Sequence, residues 1–454
     1  MEFTSTRKSQ PSKAFLSLIR RGDVQLFGLL ALAVLFGGGG VRYGFFNLTV
    51  QLAGIGVLAV NREALFQFAR QAPYPLVLLI AATMALPLLQ LLPLPPVIWM
   101  ELPGRDLVLE SLLLSGRGIP WFPISVDINR TLLAFVSLLP ALAVLVLAWR
   151  LDSIQAVCVL WLIVGLGLLN LGMGALQLST INANANFYPG AAPDQLYGTF
   201  ANHNSAGIFL LISLLALVGL PSQKQDRSAL SLWRLSIAVM LVVGVVLTQS
   251  RSSIALLAVP AAFAILQYFQ GRKVRNSARW WGVAPVLALA LIGVGWGGYA
   301  LLTSPKVQQS IERFEGLEDG RPGVWEDSLV VAGRYWPVGS GFSTFDEVFQ
   351  VDESLEHVLA TRAGRAHNDY LEVAIEAGAA GLALVLVWIL WMLTATWRAA
   401  TQADALVRFT GSAMLLCVMA QSMIDYPLRN QALLCVAAAM VALLARRFED
   451  VKQE

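Results

Sequence analysis

Charge is scarce in this chain. Only 13% of its 454 residues are Asp, Glu, Lys or Arg, against about 25% in an ordinary soluble domain. That deficit excludes a water-facing surface over most of the sequence. The net charge of +3 is small, and no nucleic-acid partner is expected. Cysteine is equally sparse. Cys158, Cys417 and Cys435 each lie inside an apolar run. They lack the clustered spacing of a disulfide framework or a zinc site and read as small buried hydrophobes. Alternating barrel-type strands of about ten residues are absent, and no internal repeat is visible. Gly339-Ser340-Gly341 has neither the lysine nor the strand context of a phosphate loop, so no nucleotide is expected. The first apolar run ends in Gly37–Gly40 without a convincing cleavage site, so it is expected to persist as a first membrane helix.

Apolar sequence is what remains. The hydrophobic fraction is 57% and mean hydropathy is +0.65. Apolar runs occur near 24–41, 44–60, 74–92, 131–149, 154–178, 204–220, 235–249, 253–269, 281–303, 369–396, 409–424 and 430–445. In hydrocarbon a continuous run satisfies its backbone only as a helix. The expected fold class is therefore all-α: a polytopic membrane protein of about twelve transmembrane helices.

Basic residues set the orientation. With the N-terminus inside, the cytoplasmic segments take Arg7, Lys8, Lys13, Arg20 and Arg21, then Arg62, Arg70 and Arg150. They also take Lys224, Arg227 and Arg234, the cluster Arg272 to Arg279, Arg398, Arg408, and Arg446 to Lys452. The opposite side holds three long loops, 93–130, 179–203 and 304–368. Both termini are expected in the cytoplasm. The expected organisation is 1–303 with nine membrane helices, an outer loop domain at 304–368, and 369–454 with three more helices and a tail.

The longest polar segment, 304–368, runs into Arg365-Ala366-His367-Asn368-Asp369-Tyr370-Leu371-Glu372. His367 is expected at the start of a membrane helix, capped by Asn368 or Asp369, where a neutral imidazole can accept a proton from a hydroxyl. Glu372 and Glu376 stand one turn apart behind it, and carboxylates entering a membrane helix should face protein or a water-filled cavity. Glu372 or Asp369 is expected to set the tautomer of His367. Gly378 and Gly381 would allow close helix approach. Arg251 lies in a very short hinge between two apolar runs. Arg321 precedes a helix in which Trp325, Leu329, Ala332 and Trp336 recur at helical spacing, suited to lying on the membrane. Arg130, Arg362, Arg365 and Arg429 complete the set of candidate arginines on that side. Arginine stays charged and grips phosphate through a planar fork, so several near a membrane surface suit a lipid-linked diphosphate. Head-group anchoring is the plainer alternative for each.

Other candidates are weaker. His203 and Asn202, in Ala201-Asn202-His203-Asn204, fit helix capping or sugar binding. His357 lies among Asp352, Glu353 and Glu356; a solvated acidic helix explains it better than a metal site. Asp425 is expected to pair with Arg429 or another arginine.

An ordered set of these motifs resembles the O-antigen ligase superfamily. It comprises Gly198-Thr199-Phe200-Ala201-Asn202, Gln249-Ser250-Arg251, Arg321 four residues before Trp325, Gly339-Ser340-Gly341-Phe342, and His367-Asn368-Asp369-Tyr370-Leu371 with Glu376, Gly378 and Gly381. The resemblance covers about residues 120–445. It implies a type C glycosyltransferase-like fold and metal-independent glycan transfer from an undecaprenyl-diphosphate donor at the periplasmic face of a bacterial inner membrane. No cofactor is implied. The family's essential histidine matches His367, and its two essential arginines match Arg251 and Arg321. The supporting set is Arg130, His203, Asn202, Asp369, Glu372, Arg365, Asp425 and Arg429. Leu382-Ala383-Leu384 departs from the small-polar pattern of enterobacterial ligases. Ligase, polymerase and protein O-oligosaccharyltransferase thus stay open, with a glycan, lipid A core or protein hydroxyl as acceptor. A lipid-linked glycan transporter and an export scaffold are the readings from other classes; the lack of paired broken helices speaks against the transporter.

Overall fold

A backbone in hydrocarbon has to bond within its own segment, and the apolar stretches of this chain fold accordingly. The structure is a computed structural model. It describes residues 21–40, 43–116, 118–179, 187–189, 192, 194–221, 229–272, 321–358, 362–402 and 404–446. The expected helix at 281–303, loop residues 304–320, the basic N-terminus and the tail lie outside the described residues.

Helices cover the other eleven apolar runs. The first are α1 (Gly22–Phe36), α2 (Gly44–Val60), α3 (Arg62–Gln71) and α4 (Tyr74–Gln90). The polar α3 breaks from α2 at an angle of 76°. Next come α5 (Pro96–Trp99) and α6 (Asp106–Leu114), bracketed by two-residue strands, Pro93–Leu94 and Phe122–Pro123, paired antiparallel. Then follow α7 (Ile128–Ala148), α8 (Ser153–Ser179), α9 (His203–Val218), α10 (Ala229–Leu247), α11 (Arg251–Leu256) and α12 (Ala258–Arg272). The C-terminal part has α13 (Arg321–Tyr335), α14 (Phe345–Asp352), α15 (Asp369–Ala399), α16 (Ala405–Gln421) and α17 (Gln431–Ala445). Among the described residues, four helices are long and apolar enough to cross a membrane, or five if α2 and α3 form one bent span. The other apolar helices, α9 among them, are shorter. The chain is thus an all-α membrane protein by composition and length.

Two helices form the centre. Asn204 to Leu217 of α9 are buried on every side, as expected of a helix apolar all round. α17 is similarly enclosed and packs on α7. Small residues permit the contact between α8 and α9: a Cβ on Gly167 would stand 2.3 Å from Ser213 Oγ.

A second, smaller core lies at the start of α15. Val324, Val331 and Tyr335 of α13 meet Phe345, Val348 and Phe349 of α14, with Ala366 and Ile375. The faces of α13 divide accordingly. Its buried face carries Val324, Asp327, Ser328, Val331 and Tyr335, whereas Leu329 and Trp336 are exposed, 63% and 48%. Leu329 and Trp336 belong to the face marked by apolar spacing, and α14 and α15 cover the neighbouring one.

α15 is broken at Gly378, whose φ of +56° and ψ of −143° are not helical. The segment after α13 fills the break. Ser340 and Gly341 donate to the carbonyls of Ile375 and Glu376, both at 2.9 Å, and Ala379 donates to Pro337 at 2.9 Å. A side chain at Gly378 would collide with the Pro337 carbonyl. Gln90 closes the arrangement, donating to the Glu376 carbonyl at 2.8 Å and accepting from Phe342 N at 3.0 Å. Buried Arg105 donates to the carbonyls of Pro103, Ile124 and Gly339 and lies over the Tyr335 ring. Burial pulls its guanidinium down to about 10.

Candidate functional site

Asn368 begins α15 as its cap, its side chain accepting from Tyr370 N and Leu371 N at 3.1 Å. His367 therefore stands just outside the helix. Its φ is +52°, a left-handed backbone that is costly for a non-glycine residue and tends to mark sites of function. This turn aims the imidazole away from the α15 carboxylates and towards the loop between α16 and α17. There His367 Nδ1 meets Asp425 Oδ1 at 3.2 Å. The Asp425 side chain is 3% exposed and that of His367 35%. A carboxylate accepts, so Nδ1 carries a proton, and in the neutral ring Nε2 offers its lone pair. The ring of Tyr426 packs against the imidazole, centroids 5.0 Å apart. Burial, then the charge of Asp425, pushes the Tyr426 hydroxyl up to about 12, so the phenol stays protonated.

Two expectations are corrected by this geometry. Asp425 orients His367, not Glu372 or Asp369, and Asp425 pairs with the imidazole rather than with an arginine. The reason is local: Asp369 and Glu372 belong to the helix face that turns inward, while His367 precedes the cap.

The inward face holds its own charge cluster. Arg429 reaches Glu376 at 2.7 Å, Asp369 at 3.4 Å and Glu372 at 3.5 Å. Arg365 adds a bond to Glu372 at 2.9 Å and lies 5.9 Å above the Tyr426 ring. Glu372 and Glu376 are fully buried. Burial alone would lower the Arg429 guanidinium, but Glu376, Glu372 and Asp369 outweigh it and raise it above its ordinary value. These residues hold α15 to the loop before α17.

His203 and Asn202 join the His367 side of the site. Asn202 caps α9, accepting from Asn204 N at 2.8 Å, and its amide approaches Asp425 Oδ2 at 3.4 Å. His203 Nδ1 bonds the Thr248 carbonyl at 2.9 Å. Asp425, Arg321 and His367 all lie within electrostatic reach of its ring. Trp325, one turn along α13 from Arg321 and so about 6 Å away along the axis, donates to the Ala366 carbonyl at 2.8 Å. Arg321 is thereby brought to the neighbourhood of His367. Arg251 is the first residue of α11 and is exposed, three residues beyond Thr248.

Arg130 is not part of this group. It pairs with Glu347 at 2.8 Å and Asp346 at 3.7 Å, tying α7 to α14, and Arg362 pairs with the same Asp346 at 2.7 Å. His357 is not on a solvated acidic helix, because α14 ends at Asp352 and Asp352 binds Arg334. It instead faces Asp327 at 3.3 Å and Ser354 at 3.0 Å. Among the described residues no group of three or more His, Cys, Asp or Glu is arranged to hold a metal ion.

Sequence reading missed Tyr426, Thr248 and Arg105. Tyr426 had one available signal, its place beside Asp425. The other two act through backbone carbonyls and leave no side-chain pattern.

A cavity of about 430 Å³ opens among α4, α7, α15, α16 and α17. Its walls are apolar, with Leu138, Leu142, Trp388 and Leu434 among them, while Arg365, Asp369 and Arg429 line it where α15 and α17 begin.

Residues 235–386 match a family model described as O-antigen ligase. Over that stretch, about a third of the chain, the sequence is similar to O-antigen ligases. The O-antigen ligase match spans Arg251, Arg321 and His367, whereas Asn202, His203, Asp425 and Arg429 fall outside it. No curated protein matches the chain. The match supports O-antigen ligase- or polymerase-like work in polysaccharide biosynthesis.

Proposed function

We propose that this protein transfers a glycan from an undecaprenyl-diphosphate donor to an acceptor hydroxyl at the periplasmic face of a bacterial inner membrane. The reading includes twelve spans, both termini in the cytoplasm, and the division at 303 and 368 into membrane, outer and membrane parts. It rests above all on one observation: His367 is backed by the buried carboxylate of Asp425 and has Arg321 nearby.

The acceptor hydroxyl would bond to Nε2 of His367. Its oxygen attacks the anomeric carbon as the bond from that carbon to the diphosphate oxygen breaks, with inversion. The hydroxyl proton passes to Nε2, and Asp425 steadies the imidazolium that forms. The electron pair leaves with undecaprenyl diphosphate, whose growing charge is met by Arg321 and Arg251. Because the diphosphate is already a good leaving group, no nucleotide hydrolysis is required. The apolar cavity supports a lipid substrate. Its lining runs along α15 from Asp369 to Met392, on both sides of the break at Gly378, about 35 Å of helical rise, long enough to shelter a chain of isoprene units.

Purified protein, a lipid-diphosphate glycan and a set of acceptors test the proposal. Glycan should move to a new anchor in detergent, without any membrane compartment. Arg251→Ala and Arg321→Ala should each weaken donor use. Donor affinity and rate unchanged in both variants would remove the diphosphate clamp.

A further inference from the structure

The hydrogen bond between His203 and Thr248 joins two motifs far apart in the sequence. His203 opens α9 directly after its cap, and Thr248 begins the turn Thr248-Gln249-Ser250 that delivers Arg251 to α11. This turn is constrained. Gln249 has a φ of +56°, in the region that favours glycine, and the turn contains no glycine. Several bonds hold it. Gln249 Nε2 donates to the Asp194 carbonyl at 2.8 Å, and Leu196 N donates to the Leu247 carbonyl at 3.0 Å. Ser250 caps α11, accepting from Ser253 N. The imidazole of His203 is the attachment that comes from the His367 side.

Its tautomer follows from its partner. A carbonyl oxygen can only accept, so Nδ1 of His203 carries a proton, and in the neutral ring Nε2 does not. Asn202, the neighbouring residue, reaches the same Asp425 that orients His367. One short segment thus touches the carboxylate behind the proposed base and the turn that carries the proposed diphosphate ligand.

We propose that His203 is a positioning residue for Arg251. Through Nδ1 it holds the 248–250 turn so that the guanidinium at the head of α11 keeps a constant relation to His367. The inference rests on the function proposed above and assigns His203 no contact with the reacting atoms. It makes donor binding the step that depends on His203, because a loosened turn costs Arg251 its preorganisation before the chemistry begins.

Two variants and two measurements test it. His203→Ala removes the donor; His203→Asn restores one, since its side-chain amide nitrogen falls close to the place of Nδ1. Amide hydrogen exchange over residues 245–252 reports the turn without reference to activity. Loss of one buried hydrogen bond should speed exchange there by about tenfold in His203→Ala and raise KM for the lipid-diphosphate donor by about tenfold, with kcat changed by less than about threefold. His203→Asn should return both to near the wild-type values. Unchanged exchange in His203→Ala, or alanine and asparagine variants that behave alike, would overturn the inference, as would a loss confined to kcat. Wild-type protein that transfers nothing from the donor would instead overturn the proposed function. The exchange measurement would then still decide whether His203 holds the turn.

Discussion

Asp425 lies across 3.2 Å from Nδ1 of His367, and the two residues come from different ends of the C-terminal helices. His367 stands before α15, and Asp425 lies in the loop that follows α16. The pair depends on α15 and α16 packing side by side. That packing is recorded in bonds from Asp369 N to the Ser422 carbonyl and from the Tyr370 hydroxyl to the Met419 carbonyl, both at 2.9 Å.

His367→Asn should abolish transfer while leaving the fold intact. Asparagine tolerates the left-handed backbone at this position and can still bond Asp425, but it offers no basic nitrogen. The turnover rate should drop by about 10²- to 10⁴-fold, the usual contribution of a positioned base. Turnover within a few-fold of wild type, in protein with an unchanged melting profile, would refute the base assignment.

Asp425→Asn should leave the geometry standing and still fail. The amide can present its own N–H to Nδ1, which would move the ring proton to Nε2, where the acceptor must bond. About a 10³-fold loss or more in kcat is expected from holding the wrong tautomer. The measurement is single-turnover transfer at saturating donor; an equal fall in donor affinity with kcat preserved would point to a structural role instead.

Arg429→Met should strike stability before activity. It leaves Asp369, Glu372 and Glu376 with only Arg365 among them. Breaking one side of a buried ion pair costs about 3–5 kcal/mol. A lower apparent melting temperature in detergent is expected, and Glu376→Gln added to Arg429→Met should recover part of it. No recovery would mean that the charges are not coupled as drawn.

Gly378→Ala should prevent α15 from closing on the segment 337–341. The backbone at Gly378 is left-handed, and a Cβ there would stand 2.1 Å from the Pro337 carbonyl oxygen. The conformational part alone exceeds about 1 kcal/mol, and the collision adds to it. Monodisperse protein of wild-type thermal stability would contradict the broken helix.

How legible all this was varies from residue to residue. The apolar runs announced the helices, since a stretch such as 430–445 has no other way to satisfy its backbone. Asn202 and Asn368 read correctly as caps from their position before apolar runs, because capping is a local bond. Which face of α13 packs on protein was not legible: Leu329 and Val331 are both apolar, and only the arrival of α14 and α15 determines which of them is covered. The partner of His367 was also hidden. Glu372 is near in sequence but helical geometry turns it inward, whereas Asp425 is 58 residues away and adjacent in space.

Composition and periodicity alone determined a helical membrane protein with a polar segment before α15 and a histidine at its edge, because hydrophobic burial and backbone bonding are properties of each stretch by itself. Tertiary structure alone decided that Asp425 backs His367, that His203 grips the turn before Arg251, and that Arg429 gathers three carboxylates. Those are contacts between segments far apart in the chain, and their energies depend on distances that exist only once the helices have packed.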